Sequence, residues 1–198
     1  LIRYISNYMK IAILGSGGRE HAIACAISKS KKIEKIFCIP GNAGTHIIAE
    51  NIIIDINNFE QVYNFLQKEK INFVVVGPEQ PLVNGIVDYL EKFNIKVFGP
   101  NKISSQLEGS KIFTKNLCKK YNIPTADFGT FKTKEDTINF LKKANHPMVI
   151  KADNLASGKG VYICKNLEES TNAVEEIFGG KFGLAENILV EEFFEGEE

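Results

Sequence analysis

The chain has 198 residues, 44% of them apolar and 24% charged, and its 24 Lys and Arg cancel its 24 Asp and Glu. At roughly 150 residues per domain this is one large domain, or one domain and part of another, with enough apolar material for a packed core and too much for a disordered tail. The charge is even along the chain, with 11 basic against 9 acidic residues up to Pro100 and 13 against 15 after it, so nothing in it advertises a nucleic-acid or membrane-surface binder.

Within that balance 22 of the 24 basic residues are Lys, and only Arg3 and Arg19 are Arg. Lys, Ile and Asn together fill 66 positions, so one surface Lys carries little information and an Arg carries more. Cys25, Cys38, Cys118 and Cys164 show no C-x-x-C spacing and lie in apolar or periodic stretches. They read as buried free thiols of a cytoplasmic protein rather than a zinc or disulfide framework. No apolar run approaches 18 residues, and residues 1–8, ahead of Met9, contain no signal-peptide core and read as an upstream extension.

From Met9 short β-branched runs alternate with helical stretches. The pattern predicts strands at Lys10–Leu14, Lys35–Ile39, Ile52–Ile54, Asn72–Val76 and Lys96–Phe98, with helices at Glu20–Ser30, Asn58–Lys68 and Leu82–Phe93 between them. Strands apolar throughout and joined by helices imply a parallel sheet covered on both faces, so residues up to Pro100 form a doubly wound α/β domain. Beyond Gly99-Pro100 the rhythm loosens. Helices are predicted at Ser110–Tyr121, Thr133–Lys143 and Leu167–Ile177, and strands at Phe128–Phe131, Met148–Lys151, Gly160–Lys165 and Ile188–Phe194, an α+β unit that reads as incomplete.

Three loops follow predicted parallel strands at their carboxyl ends, where open α/β sheets bind ligands. Gly15-Ser16-Gly17-Gly18-Arg19-Glu20-His21 opens the first helix, and its glycines suit close backbone approach to an anion. It is not a dinucleotide fingerprint: Glu20 stands where the third glycine would be, and no acid ends the second strand. A phosphorylated sugar or mononucleotide fits better, while a turn that merely packs strand on helix would leave Arg19 unexplained. His21 alone reads as a packed or capping histidine. Pro40-Gly41-Asn42-Ala43-Gly44-Thr45 and Gly77-Pro78-Glu79-Gln80-Pro81-Leu82 are ordinary turn chemistry taken singly, but three such loops on one sheet edge suggest a site. In the second unit Ala156-Ser157-Gly158-Lys159-Gly160 suits folding over phosphates without being a P-loop. Lys151, in an apolar strand, needs an anionic partner.

The motifs GSGGREHA (15–22), PGNAGT (40–45), VGPEQPLVNG (76–85), FGP (98–100), LEGSKIFTK (107–115), IKADNLASGKGV (150–161) and VEEFFEGEE (190–198) together resemble the phosphoribosylamine–glycine ligases, or glycinamide ribonucleotide synthetases, of purine biosynthesis. The resemblance implies a pre-ATP-grasp, Rossmann-like amino-terminal domain over residues 9–108 and the front of an ATP-grasp unit over 109–198, with residues 1–8 lacking a counterpart. It implies ATP, with magnesium or manganese, and ligation of glycine to 5-phosphoribosylamine. Carried over, Gly17, Gly18, Asn42 and Glu79 would line the phosphoribosylamine site. Lys111, Lys151 and Lys159 would meet ATP phosphates, and Glu191, Glu192 and Phe194 would form the adenine hinge, with Glu198 at the ribose. The metal ligands are expected beyond Glu198, so the chain alone is expected not to turn over. Small-molecule partners only and a monomer are expected, with no nucleic acid and no membrane. Asn154 and Ser157 depart from the family's usual Gly and Ala. A non-catalytic sugar-phosphate or nucleotide-binding fragment, or another ATP-grasp enzyme of purine metabolism, is the alternative.

Overall fold

The computed structural model describes residues 8–153, 159–183 and 185–196. The chain divides into two compact units, Leu1–Ser105 and Gln106–Glu198.

In the first unit β1 (Met9–Gly15), α1 (Gly18–Ser28), β2 (Ile33–Pro40), a 3-10 turn (Thr45–Ile47), β3 (Glu50–Asn51), α2 (Phe59–Glu69), β4 (Phe73–Val76), α3 (Glu79–Asn84), α4 (Ile86–Glu91) and β5 (Val97–Phe98) follow in order. The sheet is parallel, ordered β3-β2-β1-β4-β5. Alternation along its strands sends Ala12, Leu14, Val74 and Val76 to one core with Leu66 of α2 and Leu90 of α4. Ile11, Ile13, Cys38 and Val75 go to the other, with Ala24 of α1. Both faces are covered, which is why these strands carry no polar alternation.

The second unit contains α5 (Gln106–Gly109), α6 (Lys111–Lys120), β6 (Phe128–Phe131), α7 (Lys134–Leu141), β7 (Met148–Ala152), β8 (Val161–Cys164), α8 (Leu167–Phe178) and β9 (Ile188–Glu192). Its described strands form an antiparallel sheet in the order β6-β9-β7-β8. Met148, Ile150 and Ala152 of β7, with Ile188 and Val190 of β9, pack on Ala173, Val174 and Ile177 of α8 and Leu141 of α7. Side chains one residue out of phase, Lys151 and Glu191 among them, belong to the opposite face. The doubly wound sheet and the α+β second unit are thus present.

Several expectations need correction. The third strand lies at Glu50–Asn51, not Ile52–Ile54: Ile52 N–H bonds back to Cys38 and Ile53 is exposed. The β-branched run serves instead through Ile52 and Ile54, which pack against the core. The helix expected over Leu82–Phe93 is two short helices, because Gly85 takes a left-handed conformation at φ +92° and caps α3 through bonds to Leu82 and Pro81 carbonyls. The last strand ends at Glu192 rather than Phe194. Of the four thiols, Cys38 and Cys164 are buried but Cys25 and Cys118 are only half-buried.

Gly85→Ala should destabilise the first unit by about 1–2 kcal/mol, because a Cβ there both forces left-handed backbone on an L-residue and stands 3.2 Å from Lys102 Cδ. Urea unfolding would measure it, and an unchanged midpoint would refute this account of the helix break.

Candidate functional site

The three loops of the first unit do converge, and their joints are specific hydrogen bonds. Gly41 N–H donates to Gly15 O at 3.1 Å and Gly77 N–H to Leu14 O at 3.0 Å, so the second and third loops leave the sheet beside the first. Asn42 Nδ2 donates to Ser16 O at 2.9 Å and Gly17 O at 3.2 Å. Asn42 is itself fixed by Thr45, whose N–H donates to Asn42 Oδ1 at 3.0 Å, and by Asn51, whose Nδ2 donates to Asn42 O at 2.7 Å. Arg19 bridges the first loop to the third, donating to Gly77 O and pairing with Glu79 Oε1 at 2.9 Å. The Glu79 backbone N–H and the Arg19 guanidinium hold the Glu79 carboxyl below the usual carboxylate range. His21 lies against Gly44, where an added Cβ would stand 3.0 Å from its ring, so it packs as expected.

Glu20, treated in the sequence only as a missing glycine, is the keystone of this arrangement. It is 4% exposed, and its Oε2 accepts Gly17 N–H at 2.5 Å, half of a capping box for α1. A Cβ on Gly15 would fall 2.6 Å from the Glu20 carboxyl carbon, and one on Gly17 2.9 Å from Oε2; Gly77 is crowded by the same carboxylate. Glu20 therefore accounts for the absence of a side chain at Gly15 and Gly77, and it engages the Gly17 N–H. Gly18 is not so explained: a Cβ there meets nothing within 4 Å. The signal available in the sequence was the three-residue spacing from Gly17 to Glu20 at a helix start.

The second unit gathers lysines on one face of its sheet. Lys151 of β7 stands opposite Leu189 and Val149 opposite Glu191, so Lys151 and Glu191 are diagonal neighbours on one face. Their side chains form an ion pair. Lys115 of α6 reaches the same carboxylate, Nζ to Oε2 2.7 Å, and also donates to Thr125 Oγ1 at 2.8 Å and Ala126 O at 3.1 Å. Lys111 Nζ donates to Ala152 O at 2.9 Å. Burial holds its ammonium below the usual lysine range, with nearby Lys151 adding to this and Asp153 and Glu108 opposing it. Asp153 anchors the start of α6, accepting Ile112 N–H at 3.0 Å and the Ser110 hydroxyl at 3.0 Å. Beside the lysines, Val161 and Ile163 of β8 pair with Lys151 and Val149 and leave apolar surface exposed on that face, 43% and 57%.

Lys111, Lys151 and Glu191 are thus brought together, with Lys115 as the member that sequence reasoning missed. Glu192 takes the other side of β9, accepting Asp127 N–H at 3.0 Å. Phe194 is 65% exposed. Lys159 is exposed ahead of β8, while residues 154–158 of its loop and Glu198 lie outside the described residues. An open cleft of about 700 Å³ lined by Ile112, Thr130, Phe131, Lys132, Asp136 and Asn187 includes none of the clustered charges. Among the described residues no group of three His, Cys, Asp or Glu could hold a metal ion, and no helix is long and apolar enough to cross a membrane.

A glycine-loop parallel sheet followed by an antiparallel sheet with lysines on the face away from its core is the order of parts in ATP-grasp proteins. Residues 9–108 match the family described as phosphoribosylglycinamide synthetase, N domain, and residues 109–198 its ATP-grasp (A) domain. The chain belongs to the phosphoribosylglycinamide synthetase family. It is 48% identical over 191 residues to a phosphoribosylamine–glycine ligase of Mesorhizobium japonicum, and 44% identical over 195 residues to that of Clostridium acetobutylicum, covering 96% of this chain in each case. The crystal structure of a phosphoribosylamine–glycine ligase from Thermotoga maritima superposes with a TM-score of 0.76 at 34% identity, over 95% of this chain and 44% of that one. The chain spans about 45% of the length of the curated relatives it matches.

Arg19→Ala should cost a few tenths to about 1 kcal/mol at pH 7, the pair being largely exposed. Since Glu79 has a depressed pKa when folded, its contribution is present above the ordinary value of 4.5 and is lost as pH falls through the lower folded value. The gap between wild type and variant in thermal melts should therefore narrow from pH 7 to pH 3, leaving the Gly77 bond. A gap that widens at low pH would contradict the pairing.

Proposed function

We propose that the chain is the substrate-binding and nucleotide-binding front of a ligase that joins glycine to 5-phosphoribosylamine at the expense of ATP, in purine biosynthesis and in the cytoplasm. The observation that carries this reading is the pairing of a cross-braced glycine-loop cradle in one unit with a half-buried, net-positive lysine cluster beside exposed apolar strand residues in the other. It is supported by 44–48% identity to proteins named for that reaction.

In the first unit the sugar phosphate would meet backbone N–H groups at the start of α1, where Gly18 leaves open space and the helix terminus favours an anion. Asn42 and Glu79, held by Thr45, Asn51 and Arg19, would offer an amide and a carboxylate to ribose hydroxyls or the amine. In the second, Lys151 and Lys111 would neutralise nucleotide phosphates, Val161 and Ile163 would give the base an apolar floor, and Lys159 and Glu198 would join from the segments flanking them. A glycine carboxylate oxygen would attack the γ-phosphorus with ADP leaving. The amine of phosphoribosylamine would then attack the carbonyl carbon of glycyl phosphate, releasing phosphate and a proton. The protein's part is positioning and charge neutralisation. The resemblance implies a divalent metal, but the described residues do not assemble a site for one, so no step here is routed through it.

A polypeptide of the relatives' full length should release phosphate from ATP only when glycine and 5-phosphoribosylamine are both present. Release independent of either would sink the reading. On this chain, two substitutions should separate the two sites. Lys151→Ala should weaken ATP binding about tenfold or more while sparing ribose 5-phosphate, and equal loss of both would indicate unfolding instead.

Gly18→Ala should do the reverse. With no protein atom for its Cβ to meet, it should stabilise the chain by about 0.5 kcal/mol yet weaken ribose 5-phosphate binding severalfold, because the methyl group occupies space kept for the ligand. Calorimetric titration beside thermal melting reads both, and a stabilised variant with undiminished affinity would show that Gly18 does not face the sugar phosphate.

A further inference from the structure

Glu191 carries a carboxylate whose side chain is 8% exposed, between Lys151 at 25% and Lys115 at 12%. A carboxylate withdrawn from water needs compensation, and one lysine would suffice. Two are present. Lys115 is the more buried of them and the more fully occupied: it donates to Thr125 and Ala126, and its ammonium lies 5.5 Å from the centre of the Phe128 ring, on the residue paired with Glu191 across β6 and β9. Lys151 is the more exposed and lies beside Lys111 and the apolar residues of β8. Glu191 Oε2, though 2.7 Å from Lys115 Nζ, is buried and makes no well-directed hydrogen bond. The contact with Lys115 is therefore one of charge rather than of hydrogen-bond geometry.

We propose that Lys115 is a positioning residue for a nucleoside triphosphate: it neutralises Glu191 from beneath, so that Lys151 is oriented by Glu191 without being cancelled by it and keeps a whole positive charge for a phosphate. This rests on the nucleotide reading of the second unit. Without Lys115 the remaining Lys151–Glu191 pair is neutral, and an incoming polyphosphate must compete with a buried carboxylate for the Lys151 ammonium. The defect lies in charge balance, so removing the carboxylate as well should cure it. Loss of packing or of the Thr125 and Ala126 bonds would not be cured in that way.

The test is ATP binding to the 198-residue chain by titration calorimetry, with circular dichroism and thermal melts alongside. Lys115→Met keeps the apolar stem and removes the charge; it should weaken ATP binding about tenfold or more. The double variant K115M/E191Q should recover to within about threefold of wild type, although its melting temperature need not recover. Wild-type affinity in K115M, or a double variant as weak as the single one, overturns the proposal. If K115M alone does not fold, the double variant carries the test: near-wild-type affinity supports the proposal and a tenfold loss overturns it. A wild-type chain that binds no ATP overturns the nucleotide reading itself, and this inference with it. Normal wild-type binding with unaffected variants overturns the inference alone.

Discussion

Glu191 places a negative charge where water scarcely reaches, and much of the second unit is arranged around keeping that charge compensated. An isolated carboxylate in such a position would be too costly to remain ionised. Lys151 arrives from the adjacent strand because antiparallel registry makes it a diagonal neighbour, and Lys115 arrives from a helix whose first turn is clamped by Asp153. Strand alternation then does the sorting. Ile150, Ala152 and Val190 go to the core under α8, while Lys151 and Glu191, each one residue out of phase, carry the charge on the other face. A shift of one residue in β7 or β9 would bury the ions in the core and expose the core residues, so the same interaction that makes a site also penalises misregistry.

The first unit uses a buried carboxylate too, but for shape. Glu20 ties the start of α1 to Gly17 and fills the space between the ends of β1 and β4, where only glycine backbone fits against it. Gly15, Gly17 and Gly77 thus all lie against a group of the protein itself, most tightly at Gly15 and Gly77. The distinction is worth drawing at each position separately, because a glycine wedged against its own protein and a glycine facing open space make opposite predictions for the same methyl group.

Much of this was legible in advance, and the reasons are physical. β-branched runs bounded by turn residues announced the strands, and the parallel sheet followed from their lack of polar alternation. The three loops were legible because carboxyl strand ends are where such sheets hold ligands. What escaped was whatever depends on one side chain reaching across sequence. Glu20 looks like any helical glutamate until its burial is known. Lys115 is one of 22 lysines, and nothing local separates it from Lys119 or Lys120 on the same helix; only its closeness to Glu191 does, 76 positions away by number. Gly85 was hidden by an apolar periodicity that continued through it, since Ile86, Val87 and Leu90 remain in phase with the core after the break. The run Ile52–Ile54 has strand composition, yet packing rather than pairing claimed it.

Charge neutrality over the whole chain conceals a local asymmetry that bears on how such a site can exist without a ligand. Three lysines packed together would repel one another and loosen the fold, whereas lysines fully matched by carboxylates would have nothing left for a phosphate. The second unit stands between these limits: one shared carboxylate between Lys115 and Lys151, and a Lys111 whose ammonium donates to a backbone carbonyl, its charge disfavoured by burial and Lys151 and favoured by Asp153 and Glu108. The surplus is one positive charge on the triad, small enough for the unliganded fold to carry. On the proposed reading that surplus is what a nucleotide's phosphates would relieve. Binding would then stabilise the second unit by mass action and, by supplying the missing anion, would remove an electrostatic strain already built into it.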